Sequence, residues 1–272
     1  MTEILPRRLS PQELLPHLGR EEVLILDLQE APGYRAMHVP GAVHLEAAAL
    51  SASRPPVQGL LPDLGALGER LAGLGLRPGV HVVAYDEGEG LKACRLLWTL
   101  DVLGHGAWSL LDGGLRAWAD EGLPLTNDVP APRGGGLGPG EARREPVADR
   151  QLILERLGDP RTVILDVRSP AEYQGDDRRA ARAGHIPGAV NVEWRKALDR
   201  GRPPRLRPEA ELRQLYEQAG VTPDKEIIAY CQTHRRSAHT YVVLRTLGYP
   251  RVKGYPGSWS DWGNTFDTPV EP

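Results

Sequence analysis

The amino-acid sequence repeats itself once, nearly end to end. Leu24-Ile25-Leu26-Asp27 returns as Val163-Ile164-Leu165-Asp166, and each is followed by a polar stretch holding a tyrosine, Tyr34 or Tyr173. His38-Val39-Pro40-Gly41-Ala42-Val43 returns as His185-Ile186-Pro187-Gly188-Ala189-Val190. Val82-Val83-Ala84-Tyr85-Asp86 returns as Ile227-Ile228-Ala229-Tyr230-Cys231, and Trp118 returns as Trp262. These landmarks keep one order at offsets of about 140 to 147 residues, which marks a duplicated folding unit rather than chance. The chain's 272 residues are enough for two ordinary domains. The expected division is 1–125 and 147–272, with 126–146 as linker. The Pro/Gly-dense run from Thr126 to Gly140 supports that linker. Its glycines resemble a dinucleotide fingerprint only in spacing, since no strand precedes them and no helix follows.

Within each copy, short β-branched runs alternate with helical patterns. Glu22–Leu26, Val80–Tyr85, Val163–Leu165 and Glu226–Ala229 read as buried strands. Leu91–Leu103 and Ser237–Leu247 read as helices, the second stopped by Gly248 with Pro250 beyond. Alternation of this kind predicts an α/β fold, each copy a central, mainly parallel sheet with helices on both faces. Sites in such sheets form at the carboxyl ends of strands, and Cys231 stands at one.

A net charge of −3 gives no electrostatic case for nucleic acid or an anionic membrane as partner. The opening Met1–Arg8 leads into no apolar signal core, and no apolar run approaches the ~20 residues a membrane span needs. Two cysteines, Cys94 and Cys231, are too few for a disulfide framework. A reducing, cytoplasmic setting is therefore expected.

The segment Cys231-Gln232-Thr233-His234-Arg235-Arg236-Ser237 is the chemically loaded one. A thiol at a strand end, beside two guanidiniums and the start of a helix, is held as thiolate, below the usual pKa of about 8.5. Cys94 falls in the apolar pattern of Leu91, Leu97 and Trp98 and reads as core. In the first copy the equivalent of Cys231 is Asp86, followed by the acidic loop Glu87-Gly88-Glu89-Gly90. A carboxylate there cannot act as a thiolate or collect an anion, so the first copy is expected to be inactive, with Asp86 capping the next helix.

The tandem α/β copies, the His-Ile-Pro-Gly-Ala-Val stretch after Asp166-Val167-Arg168, and one cysteine loop in the second copy resemble the rhodanese family of sulfurtransferases. The loop from Cys231 to Ser237 resembles that of bacterial two-domain thiosulfate sulfurtransferases more than the Cys-Gly-Ser/Thr-Gly-Val-Thr loop of mercaptopyruvate sulfurtransferases. The resemblance implies two rhodanese-like domains, thiosulfate as donor, a Cys231 persulfide, and a thiophilic acceptor: cyanide, a small thiol or a thioredoxin-like protein. No cofactor and no metal are expected. Mercaptopyruvate as donor, or a persulfide carrier with little turnover of its own, are the alternatives.

The residue chemistry agrees with that implication. Thiosulfate is a dianion, and Arg235 and Arg236 offer planar forks to its sulfonate oxygens. Backbone N–H groups from Gln232 to Ser237, with the Thr233 and Ser237 hydroxyls, can cup a persulfide anion. A related cysteine phosphatase needs Cys, five residues, then Arg; here that position holds Ser237 and Arg236 comes one residue early, so the ring is tighter. His234 is expected as a loop donor or lining of the anion site. Arg182 is a candidate second sulfonate anchor and Trp194 a candidate apolar wall. Asp166 and Arg168 are expected beside the loop, with Asp166 orienting backbone groups or Arg236. Cys231, His234 and His239 as metal ligands are disfavoured, because adjacent guanidiniums repel a cation.

Overall fold

The computed structural model describes residues 5–131 and 142–272. Of the stretch 126–146, residues 132–141 lie outside the described residues. The strands run in chain order as β1 (Arg8–Leu9), β2 (Val23–Asp27), β3 (Val43–His44), β4 (Ala52–Arg54), β5 (Val57–Leu60), β6 (His81–Tyr85), β7 (Trp108–Leu111), β8 (Thr162–Asp166), β9 (Val190–Asn191), β10 (Glu226–Tyr230) and β11 (Val252–Gly254). The four strands and two helices read from periodicity lie within a residue or so of these bounds. The helices run Leu91–Val102 and Arg236–Thr246.

The chain forms two compact units. The first gathers the chain up to Leu50, Pro62–Arg143 and Arg200–Leu206; the second gathers Ser51–Leu61, Arg144–Asp199 and Arg207–Pro272. Each therefore includes a short segment from the other half of the sequence. In the first, the order β1-β7-β6-β2-β3 makes a wholly parallel sheet. In the second, β11-β10-β8-β9 is likewise parallel, and β4 and β5 form an antiparallel hairpin. Central strands β2, β6 and β7 are buried along their whole length, as a parallel sheet covered on both faces requires.

The repeated landmarks do the same structural work in both units. The Tyr34 hydroxyl donates to the Ala42 carbonyl (2.9 Å) and that of Tyr173 to Ala189 (2.7 Å). His38 and His185 bond through Nδ1 to the carbonyls of those tyrosines and stack on their rings, at 4.1 and 3.7 Å between centroids. Tyr85 and Tyr230, each the last residue of its strand, accept from the N–H of Val39 and Ile186, both at 3.1 Å. The indoles of Trp118 and Trp262 donate to the carbonyls of Pro124 and Pro269. Duplicated sequence here means duplicated hydrogen bonds.

Candidate active site

Strand β10 lies between β8 and β11 in the second unit, and its carboxyl end delivers Cys231. The chain then turns through residues 232–235 into the helix Arg236–Thr246. The segment after β11 braces the outside of this turn. Ser258 Oγ accepts from the Cys231 N–H (3.2 Å), the Trp259 N–H donates to the Cys231 carbonyl (2.9 Å), and the Ser260 N–H donates to the Gln232 carbonyl (3.0 Å). The turn is thus clamped along its backbone before any side chain acts.

Cys231 is 1% exposed, yet its surroundings are polar. Burial pushes the thiol up. The Arg236 guanidinium, the Ser237 hydroxyl and the N–H groups of Ser237 and Thr233 oppose this, and together they hold it below its ordinary value. Ser237 Oγ stands 3.5 Å from Sγ. Cys94, also fully buried, goes the other way: burial and the charges of Asp86 and Asp112 drive it well up. Of the chain's two thiols, the donors of the loop make one ionisable and the core leaves the other inert.

The two loop arginines part company. Arg236 turns inward, forming a bidentate pair with Glu172 through Nη1 (2.6 Å) and Nη2 (2.8 Å) while its charge acts on Cys231. Arg235 is exposed. Glu172, 1% exposed, is the residue that sequence reasoning missed. Burial alone would raise its pKa, but the Arg236 fork and the N–H and hydroxyl of Ser169 lower it to about 2. It closes a capping box with Ser169 at the start of the helix Pro170–Tyr173. Ser169-Pro170-Ala171-Glu172 carries that capping signature in the sequence, though nothing local reveals its second partner. Arg179 adds a longer contact to Glu172 (3.7 Å), and its carbonyl accepts from Gln232 Nε2 (3.0 Å).

Of the two roles expected of Asp166, it takes the backbone one, accepting from the Arg168 N–H (2.9 Å), and pairs with the Arg168 side chain rather than Arg236, Nη2 to Oδ2 at 2.6 Å, with both side chains fully buried. Arg168 lies 4.5 Å over the Trp259 ring and donates to the Gly184 carbonyl, so the pair props the residue that holds the Cys231 carbonyl. Arg182 is withdrawn from service as a sulfonate anchor. Its Nη2 donates to the Trp262 carbonyl (2.7 Å), and further bonds go to Thr265 and Thr268. Trp194 is 4% exposed and meets the His239 ring edge-on at 5.2 Å, which makes it packing between the 3-10 turn Trp194–Ala197 and the helix Arg236–Thr246 rather than an open wall. His234 is fully buried, with Nδ1 2.7 Å from Ser237 Oγ, so the structure places it within the loop against Ser237. Among the described residues no group of three or more His, Cys, Asp or Glu stands ready for a metal ion. Nor, among them, is any helix long and apolar enough to cross a membrane.

The hairpin β4–β5 rests on the loop. Ser260 Oγ joins the Gln58 N–H and carbonyl, both at 3.0 Å, and the same residue's N–H holds Gln232. Gly59, at φ +73°, comes so close to Thr233 that a Cβ would sit 2.2 Å from its carbonyl oxygen. Nothing in the sequence around Gly59 signals this. Gly59→Ala would force Thr233, whose N–H is one of the thiol's donors, to move from its carbonyl side, and adds about 1–2 kcal/mol for a left-handed side-chain-bearing residue. A several-fold slower alkylation of Cys231 by iodoacetamide is expected, together with a lower melting temperature. An unchanged alkylation rate would detach the hairpin from the site.

In the first unit, Asp86 fills the matching loop with its own carboxylate. Oδ1 accepts from the N–H groups of Gly88 and Gly90 and Oδ2 from that of Lys92, each at 2.9 Å. The anion cradle is present there but occupied by the chain itself. Through the Lys92 N–H, Asp86 also satisfies a donor in the first turn of the helix Leu91–Val102, whose N-cap residue is Gly90.

Comparison with known proteins agrees with this architecture. The rhodanese-like domain model matches residues 10–121 and 149–265. The thiosulfate sulfurtransferase of Pseudomonas aeruginosa is 45% identical over 267 residues, 98% of this chain and 97% of that one. The sulfur carrier protein TtuD of Thermus thermophilus is 35% identical over 274 residues, 93% of this chain and 92% of that one. The crystal structure of the 3-mercaptopyruvate sulfurtransferase SseA from Escherichia coli superposes with a TM-score of 0.80 at 30% identity, covering 94% of this chain and 99% of that one.

Proposed function

We propose that this chain, which belongs to the rhodanese-like domain family, is a thiosulfate sulfurtransferase that carries sulfane sulfur as a persulfide on Cys231. The observation that carries the reading is the arginine–thiol arrangement: Arg236, fixed by Glu172, aims its charge at a thiol whose pKa is lowered. The Cys231 thiolate attacks the outer sulfur of thiosulfate. A Sγ–S bond forms, the S–S bond of thiosulfate breaks, and its electron pair leaves on sulfite. An acceptor such as cyanide then attacks the terminal sulfur and leaves as thiocyanate, returning the thiolate. Splitting the transfer through a covalent form gives ping-pong kinetics.

Arg236 and the N–H groups of Thr233 and Ser237 supply the donors for this chemistry. Removing one preorganised donor from such an anion site costs about 3 kcal/mol of transition-state stabilisation. Exposed Arg235 supplies charge at the rim, where it draws the dianion in. The first unit, with Asp86 in its cradle, is the inactive copy. A small thiol or a thioredoxin-like protein are further acceptors within this chemistry, and a reducing cytoplasm suits a reactive thiol. The identity shared with a sulfur carrier protein and with a 3-mercaptopyruvate sulfurtransferase keeps two other readings in play: relay to a partner protein, and a donor with one carboxylate.

Turnover with each donor separates these. Faster cyanide-dependent turnover with thiosulfate than with mercaptopyruvate is expected, since a dianion gains more from Arg235 and Arg236. Faster turnover with mercaptopyruvate overturns the donor assignment, and negligible turnover alongside a stable sulfur adduct favours the carrier. Arg236→Lys tests the same point while keeping a charge opposite Glu172. It should raise the thiosulfate KM several-fold through loss of the planar fork.

A further inference from the structure

Only one side-chain hydroxyl is bonded to the Cys231 sulfur among the described residues, that of Ser237, at 3.5 Å. The same oxygen lies 2.7 Å from His234 Nδ1. Cys231, His234 and Ser237 are 1%, 0% and 0% exposed, so bulk water does not compete for these bonds. A hydroxyl has one proton to give. If Nδ1 of His234 is the bare nitrogen, it takes that proton and the sulfur loses its one hydroxyl donor, keeping only Arg236 and the N–H groups of Thr233 and Ser237. If Nδ1 carries hydrogen, it donates to Oγ and the Ser237 proton has only the sulfur to go to. Ser237 and His234 are three residues apart. His234 sits at φ 57°, a left-handed conformation that a residue with a side chain adopts at a cost.

We propose that His234 is a positioning residue whose Nδ1–H donates to Ser237 Oγ and thereby commits the Ser237 proton to the Cys231 sulfur. The inference rests on the reading of Cys231 as the sulfur-carrying thiol. Its effect falls on the thiolate, both as nucleophile toward the donor and as leaving group when the persulfide is cleaved. Once sulfur is bound, Sγ is a neutral, divalent sulfur and a weaker acceptor, so the relay favours the unloaded form.

The pH dependence of Cys231 alkylation by iodoacetamide reads this directly, without turnover; buried Cys94 does not compete. Ser237→Ala should move the profile to higher pH by about one unit, making alkylation below the midpoint roughly tenfold slower. His234→Ala should move it by a similar amount. The double variant should move it no further than Ser237→Ala alone, because the histidine acts only through the serine. His234→Asn tolerates the left-handed backbone and offers an amide N–H near the place of Nδ1, so it should stay close to the parent protein. It also guards against misfolding of the alanine variant. Additive shifts, an unmoved profile in His234→Ala, or a His234→Asn profile that matches His234→Ala would each overturn the relay. Intact mass after thiosulfate, measured on the same samples, separates the two claims: if the parent protein gains no sulfur the functional reading fails, while the alkylation profiles still decide the relay.

Discussion

Cys231→Ala is expected to abolish sulfur transfer from thiosulfate to cyanide, lowering kcat by at least about three orders of magnitude, as loss of a covalent nucleophile does elsewhere. The turn around Cys231 is held by its backbone, through Ser258, Trp259 and Ser260, and not by the sulfur. Truncation should therefore leave the fold standing, with a melting temperature within a few degrees of the parent, consistent with a loss of about 1 kcal/mol. Cys94 offers no substitute, because burial beside Asp86 and Asp112 keeps it protonated. Retained turnover in the variant, measured as thiocyanate production, would remove Cys231 from the mechanism.

The second large effect is expected at Glu172. Its carboxylate is 1% exposed and carries both forks of Arg236. Glu172→Ala leaves a half-buried guanidinium without its anion and removes one side of the capping box, at a cost of about 3–5 kcal/mol. Glu172→Gln keeps shape and cap but not charge, so it should destabilise less while still loosening Arg236. Its kcat/KM for thiosulfate should fall at least about tenfold, the equivalent of 1.4 kcal/mol. The pH dependence has a fixed sign. Glu172 is held at about 2 in the folded chain, below the unfolded value near 4.3, so its contribution is complete above that unfolded value and is lost as pH falls through about 2. The stability gap between the parent protein and Glu172→Gln, followed by thermal melts, should be widest above pH 5 and close toward pH 2. A gap that widens on acidification would contradict the pairing.

The parts of this molecule that are legible in sequence are those whose signal is local. Val82–Asp86 and Ile227–Cys231 announce strands that end at Tyr85 and Tyr230, and the matching tyrosines, histidines and tryptophans announce duplication. Asp86 in place of Cys231 shows the asymmetry by residue type alone. What escapes is pairing across elements. Arg182 looks like an anion anchor because it stands just before Gly184-His185, but the carbonyls of Trp262, Thr265 and Thr268 engage both of its Nη groups. Asp166 is the obvious acid near the loop, yet Arg168, two residues away, claims it. Glu172 and Ser258 reach the loop only because β8 and β11 flank β10, a fact that sequence spacing does not contain. Gly59 is further removed still, since its role is an approach that only the absence of a side chain permits.

Intact mass spectrometry of the reduced protein, before and after thiosulfate, tests the central claim most directly. The account predicts a gain of one sulfur atom, localised to Cys231 by peptide mapping and removed by cyanide. No gain, or a gain carried by Cys94, would contradict it.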